Sequence, residues 1–363
     1  MTIEQDEKYI KHCIELAKLG EGSVSPNPLV GAVVLDKNSH VVGTGYHQKY
    51  GEAHAEINAL NDAGEFAKDG TLYVNLEPCS HFGKTPPCVN RVIESGVKRL
   101  VVGMIDPNPI VAGEGIRKAQ DVGIEVEVGV LEKECKKLNE IFIKYVTEKQ
   151  PFIAVKTAST VDGKIATKTG SSKWITSDLA RIEVHGLRKK YDAILTGSGT
   201  VIADNPSLTC RIPGGRNPVR VIIDSELKTS PEAKVYQNDG IRVIIATSEN
   251  INNEKMKAYP ENVEILKCSL INNKIDLHYL INELYQNKIA SILVEAGGIL
   301  NGIFLQNKLI DKFYFFIAPK ILGDNQAKSI IEGFDTVDIN ESLNFRFDEI
   351  KSLPPDIMVE GYL

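Results

Sequence analysis

The feature that most restricts this chain is a set of side chains spread along it: His54-Ala55-Glu56, then Pro78-Cys79, then Cys88. One imidazole, two thiols and one spare carboxylate in that order suit a catalytic zinc, provided the fold brings them to one point. Three protein ligands leave a fourth position for water, which separates a working site from a structural one. Zinc lowers the pKa of that water from about 15.7 toward about 7, so hydroxide is available at neutral pH. Glu56, two residues from His54, is placed to carry protons between water and substrate. Each member alone has a plainer reading: a histidine at a helix start is commonly a cap or a core residue, and a single Pro-Cys carries little. The ordered combination is much harder to dismiss.

Zinc deaminases of nucleobases carry His-x-Glu followed by Pro-Cys-x-x-Cys. This chain matches the first half and departs from the second, because residues 80–87 separate Cys79 from Cys88. The stretch Glu77-Pro78-Cys79-Ser80-His81-Phe82-Gly83-Lys84-Thr85-Pro86-Pro87-Cys88 closely resembles the bifunctional deaminase–reductases of riboflavin biosynthesis. That family has an enlarged cysteine loop of this kind and deaminates a small pyrimidine nucleotide. An enzyme that edits polynucleotides is expected to keep the shorter spacing. The resemblance implies a deaminase substrate shell of Asn27, His47, His81, Lys84 and Asn108. Lys84, a cation inside the enlarged loop, is the expected phosphate contact. Asn27 and Asn108 also fit ordinary turn chemistry beside proline, and His47 also fits a surface residue after a strand.

At 363 residues the chain exceeds the usual size of one domain, so two are expected. A hydrophobic content of 42% and a charged content of 25% are ordinary for a globular protein. The formal net charge of −6 argues against nucleic acid as main partner, because phosphate backbones call for a basic face. No run approaches the roughly 18 apolar residues of a membrane span. The acidic stretch Met1-Thr2-Ile3-Glu4-Gln5-Asp6-Glu7 lacks the apolar core of a signal peptide, so the expected location is the cytoplasm. In that reducing compartment Cys13, Cys79, Cys88, Cys135, Cys210 and Cys268 are expected as free thiols. Cys13 reads as a small core residue of a helix. The last three have no partner at ligand spacing and receive no role.

Helical periodicity places Ile10, Cys13, Ile14 and Ala17 on one face of a helix over 6–19. Strands are expected at 30–35 and 41–46, a helix starting close to His54, a strand at 71–76, and a helix opening at Cys88. Strands at 100–103 and 124–128 flank a helix over 112–120. Both ligand segments then sit at helix starts, where backbone N–H groups favour thiolate over thiol. A charged helical stretch over 131–149 ends at Pro151, the expected boundary between domains 1–150 and 151–363. Beyond it, strands at 152–157, 193–196, 219–224, 242–246, 291–295 and 312–317 alternate with helices over 177–190, 276–286 and 299–306. Such alternation implies sheets layered with helices.

The second half has no intact Gly-x-Gly-x-x-Gly after a strand, so no ordinary dinucleotide fingerprint. The segment Lys156-Thr157-Ala158-Ser159-Thr160-Val161-Asp162-Gly163-Lys164-Ile165-Ala166 resembles the entry to the reductase domain of the same family, with Val161 where leucine is commoner. Ser172-Lys173-Trp174-Ile175-Thr176, Leu187-Arg188, Thr196 to Val201, and Asp204 to Arg211 continue the likeness. Val294-Glu295-Ala296-Gly297-Gly298 reads as a strand entering a glycine turn and a helix start, where amides approach a pyrophosphate. Singly these are weak: Gly197-Ser198-Gly199 is commonly a tight turn, and Trp174 commonly core.

The resemblance implies an N-terminal cytidine-deaminase-like three-layer α/β/α domain and a C-terminal dihydrofolate-reductase-like α/β domain. It also implies Zn2+ at His54, Cys79 and Cys88, and NADPH as second cofactor. Ala158, Trp174, Thr200, Asp204, Ser225, Gly297, Gly298, Ile299, Leu300, Asn301, Gly302 and Ile303 would line the NADPH site. Lys156, Ser172, Arg188, Leu208, Arg211 and Glu295 would hold the substrate, the arginines suiting bidentate phosphate binding. Lys156 would steady charge near the sugar carbonyl. Hydride would go to C1 of the ribose in its open imine form. The expected partners are a small phosphorylated pyrimidine and further copies of the chain, with no nucleic acid and no membrane. One alternative is a deaminase of a free base or tRNA adenosine with a degenerate second domain. Another is a non-catalytic zinc protein, which would usually close all four positions with Cys or His.

Overall fold

The computed structural model describes residues 2–81, 86–108 and 112–363. The chain divides into two compact units, Met1–Gln150 and Pro151–Leu363.

The first unit opens with α1 (Ile3–Lys18), whose start is fixed by a capping box between Thr2 and Gln5. Its buried stripe is Ile10, Cys13, Ile14 and Ala17, joined by Asp6. There follow β1 (Gly31–Leu35), β2 (Val41–Tyr46), α2 (Ala55–Ala63), β3 (Thr71–Val74), α3 (Cys88–Glu94), β4 (Arg99–Val102), α4 (Glu114–Asp121), β5 (Glu125–Val128), α5 (Glu132–Leu138) and α6 (Glu140–Thr147). The sheet order is β2-β1-β3-β4-β5, antiparallel across β2, β1 and β3 and parallel from β3 to β5. β1 is buried along its whole length because helices cover both faces. A Cβ on Gly31 would sit 2.1 Å from the Cys13 carbonyl of α1. Gly45, across from Ala32 and so on the opposite face, would meet Ala59 N of α2 at 2.5 Å. Three layers result, α1 on one side and α2 on the other, with Ile10, Val33, Leu60, Leu72 and Val101 in one core.

The second unit runs β6 (Phe152–Thr160), β7 (Lys164–Ala166), α7 (Asp178–Lys190), β8 (Ala193–Gly197), α8 (Ser198–Asp204), β9 (Val219–Ile223), β10 (Val243–Ser248), α9 (Asn253–Met256), β11 (Val263–Cys268), β12 (Leu270–Ile271), β13 (Lys274–Ile275), α10 (Leu277–Gln286), β14 (Ser291–Val294), α11 (Gly298–Gln306), β15 (Lys312–Ala318), β16 (Lys328–Ser329), β17 (Arg346–Leu353) and β18 (Asp356–Tyr362). Nine strands form one sheet in the order β11-β10-β9-β8-β14-β6-β15-β18-β17. The strands from β11 to β15 in that order are mutually parallel, and an antiparallel C-terminal hairpin closes one edge. The central strands carry unbroken apolar runs, Ala193-Ile194-Leu195 and Ile292-Leu293-Val294, as parallel strands covered on both faces do. The carboxyl ends of β6, β8, β9 and β14 therefore share one edge, where ligands of such sheets bind.

Candidate active sites

The first site forms where β3 leaves the sheet and two helices begin. His54 is the N-cap residue of α2 and Cys88 the first residue of α3. Their ligand atoms and the Cys79 thiol lie within 4.8 Å of one another. His54 Nδ1 stands 3.2 Å from Cys88 Sγ and 3.6 Å from Cys79 Sγ. The Cys88 backbone N–H donates to Cys79 Sγ at 3.3 Å. Hydrogen bonds from the Cys88 thiol, His54 and this N–H outweigh burial and hold Cys79 far below the usual thiol range, at about 4. Cys88 is pushed up by the same neighbour and by burial. The hydrogen bond to Cys79 raises His54. Glu56, in the first turn of α2, is 2% exposed, and its Oε2 has no hydrogen-bond partner among the described residues. Burial, then the charge of Cys79, pushes its carboxyl up to about 7. A His–Cys–Cys donor set beside an orphaned carboxylate oxygen fits a zinc ion with an open position.

Two other expected residues join this cluster. His47 is buried, its ring meets His54 edge-on with centroids 5.1 Å apart, and its Nε2 is 3.2 Å from Asn27 Nδ2. Its Nδ1 lies 3.1 Å from the Ala53 carbonyl, so His47 is not the surface residue that the strand-end reading allows. Desolvation lowers its pKa. Asn108 donates its N–H to Asp106 Oδ1 at 2.9 Å, the turn chemistry noted above. His81 is exposed, and Lys84 lies outside the described residues.

Several residues that build this site receive no role from the motifs, Glu77 among them although it opens the cysteine stretch. Glu77 is buried and accepts four backbone N–H groups, from Asp106 (3.1 Å), Gly113 (2.9 Å), Gly115 (2.8 Å) and Ile116 (3.3 Å). It thereby ties the cysteine segment to the start of α4. Asn75 and Asn139 hold the strand that follows Asn27: both donate to the Leu29 carbonyl, and they accept from Gly31 N and Leu29 N. Asp106 is also buried, and desolvation pushes it up to about 6.

The second site is a cavity of about 780 Å³ at the carboxyl edge of the second sheet. Ala158, Thr200, Asp204, Ser225, Gly297, Gly298, Ile299, Leu300 and Ile303 line it, together with Lys156, Ser172, Arg188, Leu208 and Glu295. Two strand-to-helix turns face it, β8 into α8 at Gly197 and β14 into α11 at Gly297. A Cβ on Gly199 or Gly297 would meet nothing within 4 Å, so the lining leaves room at both turns. Thr157 lines the cavity as a buried residue whose Oγ1 has no partner among the described residues. Open glycine turns, an orphaned hydroxyl and this volume fit a dinucleotide.

Glu295 organises one end. It receives Lys156 Nζ at 2.9 Å and the Arg188 fork at 2.7 and 3.0 Å. Burial alone would raise its carboxyl, but Arg188 and Lys156 hold it well below the usual range. Arg188 also donates to the Thr209 carbonyl at 2.9 Å, so three of its N–H directions serve the protein. Four expected residues stand outside the lining. Asn301 is buried and bonds the Ile330 carbonyl at 2.9 Å. Gly302 is pressed against the Glu332 carbonyl, 1.8 Å from where a Cβ would stand. Trp174 is exposed and stacks under Arg181 at 4.6 Å. Arg211 is exposed and approaches Thr209 Oγ1 at 3.4 Å.

A His–Cys–Cys cluster on one three-layer unit and a dinucleotide-sized cleft on a parallel-sheet unit define a zinc-dependent deaminase joined to a nicotinamide-dependent reductase. Residues 3–104 match the cytidine and deoxycytidylate deaminase zinc-binding region, and residues 151–359 match the RibD C-terminal domain. The chain is 44% identical to the riboflavin biosynthesis protein RibD of Aquifex aeolicus (strain VF5) over 361 residues, 99% of each chain. It is 40% identical to that of Escherichia coli (strain K12), over 97% of this chain and 98% of the other. A solved structure from Thermotoga maritima, described as a diaminohydroxyphosphoribosylaminopyrimidine deaminase/5-amino-6-(5-phosphoribosylamino)uracil reductase, aligns with a TM-score of 0.89 at 42% identity over 99% of both chains. This chain belongs to the RibD family, the bifunctional deaminase–reductases of riboflavin biosynthesis.

Proposed function

We propose that residues 1–150 remove the exocyclic amine of diaminohydroxyphosphoribosylaminopyrimidine. Residues 151–363 then reduce the ribose of 5-amino-6-(5-phosphoribosylamino)uracil to a ribityl chain. The convergence of His54, Cys79 and Cys88 beside the orphaned Glu56 oxygen carries this reading. In it, His54, Cys79 and Cys88 hold zinc, which when bound supplies a Lewis acid that makes water nucleophilic at neutral pH. Glu56 takes a proton from the attacking water and hands it to the departing ammonia, and its burial keeps bulk water from competing for that proton. Asn27 and His47 position the pyrimidine, with His81, Lys84 and Asn108 completing the shell.

In the second unit, the Gly197 and Gly297 turns would seat the NADPH pyrophosphate. When bound, that cofactor supplies hydride for C1 of the open imine form of the sugar. Lys156, held by Glu295, faces the sugar end and steadies charge there, while Ser172, Leu208 and Arg211 hold the remaining substrate. A reducing compartment, the cytoplasm, keeps Cys79 and Cys88 as the thiols this chemistry needs. No helix of the described residues is long and apolar enough to cross a membrane. Self-association is supported by the outer strand β17, which exposes Phe347 and Ile350 on the sheet edge.

A coupled assay with both substrates tests the reading. Wild type is expected to release ammonia and consume NADPH, while Glu56→Gln keeps zinc but loses about 100-fold or more in ammonia release. Wild-type turnover in that variant would remove Glu56 as the proton carrier.

A further inference from the structure

Lys274 belongs to no sequence motif noted above, yet it lines the cleft of the second unit. Leu270 pairs with Ile275 and Ile271 with Lys274, leaving Asn272 and Asn273 as a two-residue turn, both at positive φ (51° and 62°). Asparagine tolerates that left-handed backbone, and such turns follow the twist of a hairpin. The hairpin base is closed by Asp276 N–H to the Ser269 carbonyl at 2.9 Å, and Asp276 caps α10 through His278 and Tyr279. Ile275 is buried in the core behind it. Lys274 is therefore presented from a fixed ribbon.

The cleft runs along the ends of β6, β14, β8 and β9, adjacent strands whose three spacings of about 4.8 Å span about 14 Å. At the β6–β14 end, Lys156 and Arg188 share the one carboxylate of Glu295, which holds both of them. At the other end stand Ser225, which follows β9, and the hairpin, whose β13 packs on β10, the neighbour of β9. In dinucleotide folds an acid at a strand end commonly takes the ribose diol and rejects a 2′-phosphate. Asp224 occupies that place but is turned inward. Its carboxylate accepts from Lys228 N, Thr229 N and Thr229 Oγ1 at 2.8–2.9 Å. Lys228 is paired with Glu226 at 2.8 Å and is not part of the lining. Lys274 makes no ion pair among the described residues.

We propose that Lys274 reads the 2′-phosphate of the nicotinamide dinucleotide, so that the β12–β13 hairpin sets the preference for the phosphorylated cofactor. The inference rests on the cleft being the cofactor site. The test measures steady-state kinetics of the full chain with NADPH and NADH, and binding of 2′,5′-ADP and 5′-AMP by calorimetry. Lys274→Gln is expected to raise KM for NADPH and Kd for 2′,5′-ADP roughly ten- to hundredfold. The values for NADH and 5′-AMP should stay within about twofold of wild type, and kcat should not change. Equal weakening of both cofactors, or of neither, overturns the assignment. Gly297→Val, which fills the open turn, separates the two ideas: it should abolish binding of both dinucleotides. If Gly297→Val binds both normally, the cleft reading fails and Lys274 with it. If only Lys274→Gln is silent, the hairpin proposal alone falls.

Discussion

Single side chains decide how the first unit meets its sheet, and Asp6 is the clearest case. It lies on α1 with 5% of its side chain exposed, takes both arms of Arg99 from β4 at 2.7 and 2.9 Å, and accepts from Tyr73 of β3 at 2.8 Å. Burial alone would raise its pKa; the Arg99 and Tyr73 hydrogen bonds bring it below the ordinary value. Asp6→Asn leaves Arg99 with only the exposed Glu125 carboxylate, 3.2 Å from its Nε, and removes two charge-assisted hydrogen bonds from a site where solvent hardly reaches. It should cost about 1.5–3 kcal/mol in urea unfolding at pH 7. A carboxyl with a lowered folded pKa stabilises above its unfolded value, about 3.9, and loses that contribution as pH falls through the folded one. The gap between wild type and variant should therefore be full at neutral pH and shrink below about pH 4. A cost under 1 kcal/mol, or a gap that widens in acid, would contradict this account. Asp6 and Arg99 are far apart in sequence, and neither belongs to a motif. Glu77 does open the Glu-Pro-Cys stretch, but its partners are backbone N–H groups from residues 106 to 116, chemistry that residue types do not encode.

At the scale of elements, α2, the helix that starts at His54, is seated by glycine rather than by bulk. Gly43 and Gly45 of β2 lie under α2, with Ala59 and Ala63 of the helix pressing on them. A Cβ on Gly45 would stand 2.5 Å from Ala59 N and 2.6 Å from the Ala55 carbonyl, both backbone atoms that cannot swing away. Gly45→Ala should therefore lift the start of α2, where His54 and Glu56 sit. We expect a stability loss of about 1–3 kcal/mol, with lower zinc content and slower ammonia release, and NADPH oxidation unchanged. Gly186 gives the contrast: it lies inside α7 with nothing within 4 Å of an added Cβ, so Gly186→Ala should stabilise by about 0.5–1 kcal/mol. Periodicity makes most of the buried elements legible, because strands such as β8, β14 and β15 are apolar runs and α1 carries a clear stripe. It fails at the edges. β17 reads Arg-Phe-Asp-Glu-Ile-Lys-Ser-Leu and is mostly exposed, so the hairpin it makes with β18 has no alternation that marks a half-buried strand. β11 is half-exposed at the other edge, and β12 and β13 are two residues each. α8 is hidden for another reason: Gly197-Ser198-Gly199 looks like a turn, yet β8 passes directly into the helix there.

For the whole molecule, the two chemistries occupy different units. His54, Cys79, Cys88 and Glu56 all belong to Met1–Gln150, whereas every residue lining the cleft belongs to Pro151–Leu363. Each site also has its own hydrophobic cluster beneath it, Val33, Leu60 and Leu72 in one and Val155, Leu195 and Val294 in the other. This division is legible in the sequence because Pro151 follows a charged helical stretch and a new alternation of strands begins at once. Less legible is the β9 end of the cleft, where Lys274 comes from a hairpin of two-residue strands without a fingerprint. Stripping the metal should expose the separation. Zinc ligands must converge from α2, α3 and the segment after β3, so its loss removes the group that activates water and frees three donors packed within 4.8 Å of one another. Chelation at neutral pH is expected to abolish ammonia release and to lower the thermal midpoint of the first unit. Reduction of supplied 5-amino-6-(5-phosphoribosylamino)uracil should continue within about twofold of the untreated rate, because no residue of the cleft is a metal ligand. Re-addition of zinc should restore ammonia release alone. A parallel loss of NADPH oxidation would mean that the second site depends on the first for its structure, and the independence argued from these two cores would be wrong.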